Sequence, residues 1–156
     1  MNQSEIIWVA GHSSVGKRHF IETSMKDPQT WAMKLGLGTV SRPEWLGDRP
    51  IDEIERLAHS HDCVLIHWQS RGYLKVYDLI DRLPRARHIV IHVSREIEDH
   101  RLAFESDYPG QQFDHGQHLN VTRTEEYRKV VDIFIDVANI AGVFHVVGRT
   151  ATPYAR

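Results

Sequence analysis

Two glycines, a lysine and the spacing between them carry the most chemistry in this chain. Gly11-His12-Ser13-Ser14-Val15-Gly16-Lys17 reads G-x-x-x-x-G-K, the spacing of a loop that cradles phosphate. Gly11 and Gly16 permit backbone conformations that a Cβ forbids, so successive N–H groups can turn inward onto phosphate oxygens. Lys17 adds a mobile positive charge for the outer phosphates, and a helix starting there offers its N-terminus to the same anion. Ser13 and Ser14 either donate to phosphate or simply shape a turn, and Val15 completes the loop. Arg18 follows, where this motif ordinarily has a Ser or Thr whose hydroxyl ligates Mg²⁺. A guanidinium cannot ligate a cation. It either adds a second positive charge at the phosphates or turns to solvent and pairs with Glu22, four residues on. The plain alternative for the whole stretch is a Gly-Lys in an ordinary turn. A strand before it and a helix after it weigh against that.

The elements that must position this loop follow from the apolar pattern. Residues 6–10 are apolar without alternation, the mark of a buried parallel strand. A helix is expected from Lys17 to about Lys26, with Phe20, Ile21 and Ser24 toward the sheet and Asp27-Pro28 as its stop. Residues 35–41 suggest a short second strand, and Arg42–Pro50 a loop. Ile51, Ile54, Leu57 and Ala58 keep helical spacing after Pro50. Residues 62–68 read as a strand broken by Gln69-Ser70-Arg71-Gly72, and a helix over about 73–83 ends at Pro84. Residues 88–93 form the next strand, with Ser94 as N-cap of a helix from Arg95 to about Glu105. Residues 106–120, with Pro109, Gly110 and Gly116, read as a mobile loop. Thr122-Arg123-Thr124-Glu125 fits a capping box. Tyr127, Val130, Val131, Phe134, Ile135 and Ala138 then continue a helical stripe up to Gly142. Val143–Val147 is a last strand. This alternation predicts an α/β fold, a three-layer P-loop type with a five-stranded parallel sheet covered by helices on both faces. Residues 1–148 are expected to form one domain, with a lid and mobile loop near 95–120, and 149–156 a C-terminal tail. Ligands belong beyond the C-terminal ends of such strands.

Composition narrows the classes of function. The chain has 156 residues, 41% apolar and 26% charged, with net charge −2, so one globular domain with a real core is expected and no global field draws it to nucleic acid or membrane. Its basic residues are 14 Arg and 5 Lys. Cys63 is the single cysteine, so no intramolecular disulfide forms, and a small core residue is its ordinary role. No apolar run reaches membrane-spanning length and no signal peptide is evident, so a cytoplasmic location is expected.

With its strands and loop in this order the chain resembles the P-loop kinases of the nucleoside-monophosphate-kinase type over nearly its whole length, with Gly11–Lys17 as the P-loop (Walker A) motif. Thr39-Val40-Ser41-Arg42-Pro43 is similar to the segment after strand two in guanylate kinases, where an Arg binds the acceptor's phosphate. Val64–Trp68 with Gln69-Ser70-Arg71-Gly72 is similar to the His/Ser-Trp-Gln segment of ribose bisphosphate phosphokinases. Val93-Ser94 with Arg101-Leu102 resembles the lid helix of both, where an Arg reaches the transferred phosphoryl group. Three positions depart from the pattern. Arg18 replaces the hydroxyl, Glu105 stands where a second lid Arg is usual, and no Asp ends the 62–68 strand.

The resemblance implies ATP as cofactor with Mg²⁺, bound by Gly11, Ser13, Ser14, Val15, Gly16, Lys17 and Arg18. Lys17 and Arg101 would be catalytic, with Arg101, and Arg95 beside it, as a clamp on the γ-phosphoryl group. Arg42, Trp45 and Arg71 would face the acceptor, a nucleotide, nucleoside-like group or sugar phosphate. Each has a bland counterpart: a solvated loop or helix Arg, or an indole packing a loop onto the core rather than stacking on a base. Glu44 and Asp48 are either acceptor-positioning acids or turn residues. No metal site is expected of the protein itself: His59-x-His61 and His115-x-x-His118 lack further spaced ligands, and His67 and His92 read as core histidines. Two functions follow, an ATP-dependent kinase or a module of kinase fold that binds a nucleotide without turning it over. A variant acting on a base within DNA gains nothing from the near-neutral charge.

Overall fold

The unbroken apolar run predicts a strand buried on both faces, and in the computed structural model of the protein it is the centre of the sheet. The structure describes residues 5–11, 14–35, 44–46, 51–60, 63–67, 80–84, 86–114, 125–137 and 144–149. β1 (Glu5–Ala10) has Ile6, Ile7, Trp8, Val9 and Ala10 wholly buried. It is flanked in parallel by β3 (Cys63–His67) and β4 (Arg87–Arg95), with Ile7 beside Leu65 on one side and Ile89 on the other. β2 (Glu44–Leu46) adds in parallel to β3, and β5 (Ile133–Val137) in parallel to β4. β6 (Phe144–Arg149) pairs antiparallel with β5, giving the order β2-β3-β1-β4-β5-β6.

Helices cover both faces, as two apolar faces require. α1 (Lys17–Lys26) and α2 (Pro28–Leu35) bury Phe20, Ile21 and Leu35 against Ile7, Val9, Leu65 and Ile91. α3 (Ile51–Ser60), the helical residues 80–82 and α5 (Glu125–Val130) bury Ile54, Ile80 and Val130 against Ile6, Trp8, Val64 and Val90. Inside this second layer Trp8 Nε1 donates to His88 Nδ1 at 3.0 Å, and His88 Nε2 meets the Leu83 carbonyl at 2.6 Å. The indole N–H only donates, so Nδ1 accepts and Nε2 carries the proton. His88 is a satisfied core histidine.

The three-layer α/β expectation holds, but the sheet is not wholly parallel: among the described residues it has six strands, and β6 runs against the rest. The expected long last helix is instead α5 followed by β5. Its stripe over 130–135 was equally a run dense in β-branched residues, Val130, Val131, Ile133 and Ile135, which suits a buried strand. Asp132 starts the switch, since its N–H donates to the Val90 carbonyl and its carboxylate accepts from the Val90 N–H. Within the expected loop at 42–50, Glu44–Leu46 is strand β2. The second strand expected at 35–41 falls mostly outside the described residues, and Leu35 ends α2 instead. α2 exists because Asp27 caps it. Thr30 N–H and Oγ1 donate to the Asp27 carboxylate at 3.2 and 2.7 Å, with Pro28 at the first helical position. The Thr30 hydroxyl, then its N–H, holds the Asp27 carboxyl below the usual range.

Ser94 does not cap the helix after β4. The strand runs on to Arg95, and Ser94 Oγ donates across to the Ile135 carbonyl and Asp136. Glu96 caps α4 (Ile97–Asp107) instead, its Oε2 accepting from the N–H groups of Glu98 and Asp99. The helix therefore continues two residues past Glu105, into the stretch expected to be loop.

Candidate phosphate-binding site

Parallel strands bring the ends of β1, β3 and β4 to one edge, so Gly11, His67 and Arg95 lie along it. Gly11 has φ 145°, and a Cβ there would stand 2.6 Å from the Val93 carbonyl oxygen of β4. Only glycine lets the loop leave β1 so close to its neighbour. Ser14 is at φ 66° and Gly16 at φ 99°, ψ 24°, whereas Val15 between them keeps a negative φ. Such alternation of hand curls a backbone so that its N–H groups converge, the geometry of an anion nest. Ser14 holds the left-handed conformation without being glycine, at roughly 1 kcal/mol. Val15 is buried beneath the loop. α1 starts at Lys17, and Gly16 leaves its first N–H groups without a side-chain cap. An open helix start behind such a turn leaves backbone N–H groups that can meet an anion.

Lys17 is only 3% exposed, and its Nζ donates to the Gly11 carbonyl at 2.6 Å, folding the ammonium back across the loop. Its charge is felt through the sheet. His92, on β4, packs edge-on to Phe134, and burial first, then Lys17, then Arg128, lower its pKa to about 4. The ring is neutral at physiological pH.

A cleft of about 420 Å³ opens over the loop. Ser14, Gly16, Lys17, Arg18, His19 and Glu22 line it from the loop and α1, His67 and Arg95 from strand ends, and Ala103, Asp107 and Tyr108 from α4 and its C-terminal cap. Arg95 Nη1 reaches the Ser14 carbonyl at 3.4 Å, and Ser14 Oγ donates to Asp107 Oδ2 at 2.6 Å. Three cations thus face the nest, with two carboxylates among them. That arrangement can bind a small polyanion and neutralise charge on it.

The expected residues divide. Gly11, Ser14, Val15, Gly16, Lys17 and Arg18 form the loop as spaced. Arg95 enters from a strand end rather than a helix. Arg101 does not line the cleft: Glu98 and Glu105 on its own helix hold it at 2.8 and 2.9 Å. Those hydrogen bonds, Glu98's first and then Glu105's, raise its pKa, and Arg101 in turn lowers that of Glu98. Ser13, Arg42 and Arg71 lie outside the described residues, as do Asp48, His61, His115 and His118. Trp45 and Glu44 are in β2, with their side chains outside the description. His19, Glu22, His67, Asp107 and Tyr108 were not foreseen as cleft residues. Helical spacing from Arg18 would have flagged Glu22, four residues on, and the strand-end rule His67. Nothing local marks Asp107.

Among the described residues no three His, Cys, Asp or Glu side chains gather to hold a metal. Arg18 stands where the usual hydroxyl would be, and the Ser14 hydroxyl is given to Asp107. No described helix is long and apolar enough to cross a membrane.

No protein-family model matches the chain, and no curated protein matches it. Among solved structures it is similar to a gluconokinase from Sinorhizobium meliloti 1021, at 13% identity and TM-score 0.48, over 90% of this chain and 87% of that one. It is also similar to a de novo designed PLOOP2X3_50 fold protein, at 14% identity and TM-score 0.41, over 67% of this chain and 72% of that one.

Proposed function

We propose that the chain is an ATP-binding phosphotransferase of the P-loop kinase type. The observation that carries this reading is the loop itself: glycines at 11 and 16 in conformations of positive φ, an uncapped helix start, and a buried Lys17 hooked across it. The β- and γ-phosphates of ATP would lie in the nest, with Lys17 exchanging the Gly11 carbonyl for a phosphate oxygen. Arg95 and Arg18 would neutralise charge that builds on the moving group. The acceptor's hydroxyl oxygen attacks the γ-phosphorus, the bond to the bridging oxygen breaks, the hydroxyl proton leaves to a base or water, and ADP remains. Mg²⁺ would arrive with the nucleotide. The acceptor is a nucleotide, nucleoside-like group or sugar phosphate, placed over Arg42, Trp45 and Arg71. Arg101 takes part only if it gives up Glu98 and Glu105. Charge neutralisation of that kind is worth several powers of ten in rate.

A second reading, a nucleotide-binding module without turnover, is favoured by that pairing of Arg101 and by Arg18. The two are separated by ADP release over a panel of nucleotides and sugar phosphates, with and without Mg²⁺. ADP that depends on one acceptor supports the kinase. Tight ATP binding with no ADP from any acceptor supports the module. Arg18→Thr sharpens the comparison: if Arg18 merely displaces a metal ligand, Mg²⁺-dependent ATP binding rises in the variant.

A further inference from the structure

Ser14 is gripped from two sides. Its carbonyl accepts from Arg95 at the end of β4, and its hydroxyl donates to Asp107 at the end of α4. The second contact is short, 2.6 Å, and joins residues 93 apart in sequence. It sets a carboxylate on the lining of the cleft that Lys17, Arg18 and Arg95 also line. Like-charged neighbours repel in a cleft without a counter-ion, so a resident carboxylate relieves the cations while the cleft is empty. An entering phosphate must compete with it, for the Ser14 hydroxyl and for the same positive charge. Asp107 ends α4, and Tyr108, which follows it, packs on Phe104 at 5.0 Å between ring centroids. The Ser14–Asp107 contact thus ties the cleft to the last turn of α4.

We propose that Asp107 is a tethered anion that gates the phosphate loop: phosphate binds by displacing its carboxylate from Ser14, and this releases the C-terminal turn of α4. The proposal rests on the phosphate-binding reading of Gly11–Lys17. It differs from a metal-holding role for Asp107, in which the carboxylate would help a phosphate–magnesium complex to bind.

The test is calorimetric titration of the full chain with tripolyphosphate in EDTA, and with ATP plus Mg²⁺, for wild type, Asp107→Asn and Asp107→Ala. Both variants should bind tripolyphosphate about 10-fold more tightly, the gain expected when one like charge leaves a partly exposed anion site. Hydrogen exchange should show residues 104–108 faster in the wild type with tripolyphosphate than without, and already fast in Asp107→Ala without ligand. Tripolyphosphate binding that is no tighter in either variant than in the wild type overturns the gate. So does Asp107→Asn weakening ATP–Mg²⁺ while leaving tripolyphosphate unchanged, which assigns the carboxylate to the metal. No binding of either ligand by any of the three proteins overturns the phosphate-site reading itself, and the gate falls with it. The two variants guard against a folding defect in one, and the ligand-free exchange of α4 reads the latch without any ligand.

Discussion

Lys17 and Arg101 are two cations expected to serve one phosphoryl group, and the fold treats them in opposite ways. Lys17 is buried in the first turn of α1, and the loop it crosses can take its shape only with glycine at both ends. Arg101 stands on the outer side of α4, its guanidinium shared between Glu98 and Glu105. A desolvated charge aimed into an anion nest is poised for work, because the low dielectric magnifies each contact it makes. An exposed arginine between two acids on its own helix is neutralised and screened, and exposed pairs of this kind contribute little. Arg95, from a strand end, lines the cleft over the loop, and Arg101 does not. Strand ends at the C-terminal edge of a parallel sheet are fixed by the ladder, whereas a residue on a helix face reaches the site only if the helix turns the right way.

That contrast can be broken most severely at Gly11. Gly11→Ala sets a Cβ against the Val93 carbonyl at 2.6 Å and should cost about 3 kcal/mol of stability in urea unfolding. A loss below about 0.5 kcal/mol would mean the loop is not held against β4 as described. Next is the buried, neutral His92, whose proton affinity is lowered by burial first and then by Lys17 and Arg128. The folded state keeps His92 neutral, with its pKa lowered from 6.5 to about 4. The unfolded chain therefore binds the extra proton between those values. The stabilising contribution is complete above pH 6.5 and is lost as pH falls toward 4, at most about 3 kcal/mol in all. The fraction of His92 still open to water brings the figure below that limit. His92→Phe should flatten this slope in unfolding measured across pH 4–7, and an unchanged slope would assign it to other groups. Arg95→Ala should weaken ATP binding about 10-fold, the worth of one charge-assisted contact. Arg101→Ala should change it by less than about 2-fold, with little change in stability, since exposed pairs contribute little. Reversal of those last two would restore Arg101 as the clamp.

The parts of the molecule that could be read from sequence are those where one signal dominates. The bare apolar run of β1, the glycine spacing at 11 and 16 and the amphipathic α3 each had one physical meaning. Residues 130–135 had two, because Val130, Val131, Phe134 and Ile135 satisfy helical spacing and are also β-branched or aromatic. Pairing with β4 through Asp132 and Val90 decided for the strand, and that partner lies 42 residues away. Ser94 was read as a cap because Ser caps helices well, but its hydroxyl is satisfied across the sheet by Ile135 and Asp136. Glu96, an uncommon cap, took the role. The cationic part of the cleft was legible for the same reason as β1, since the strand-end rule puts the loop of Lys17 and the end of β4 at one edge of the sheet. Asp107 was not, because nothing in its neighbours encodes a hydrogen bond to Ser14 on the far side of the chain.

The central claim is that Gly11–Lys17 binds nucleotide phosphate through Lys17. It is tested most directly by calorimetric titration of ATP into the wild type and Lys17→Ala, with unfolding curves to show both are folded. The expected result is a single site in the wild type, weakened about 100-fold or more in Lys17→Ala, the loss of a desolvated charge-assisted contact. Equal affinity in the two folded proteins, or no ATP binding by the wild type, would contradict it.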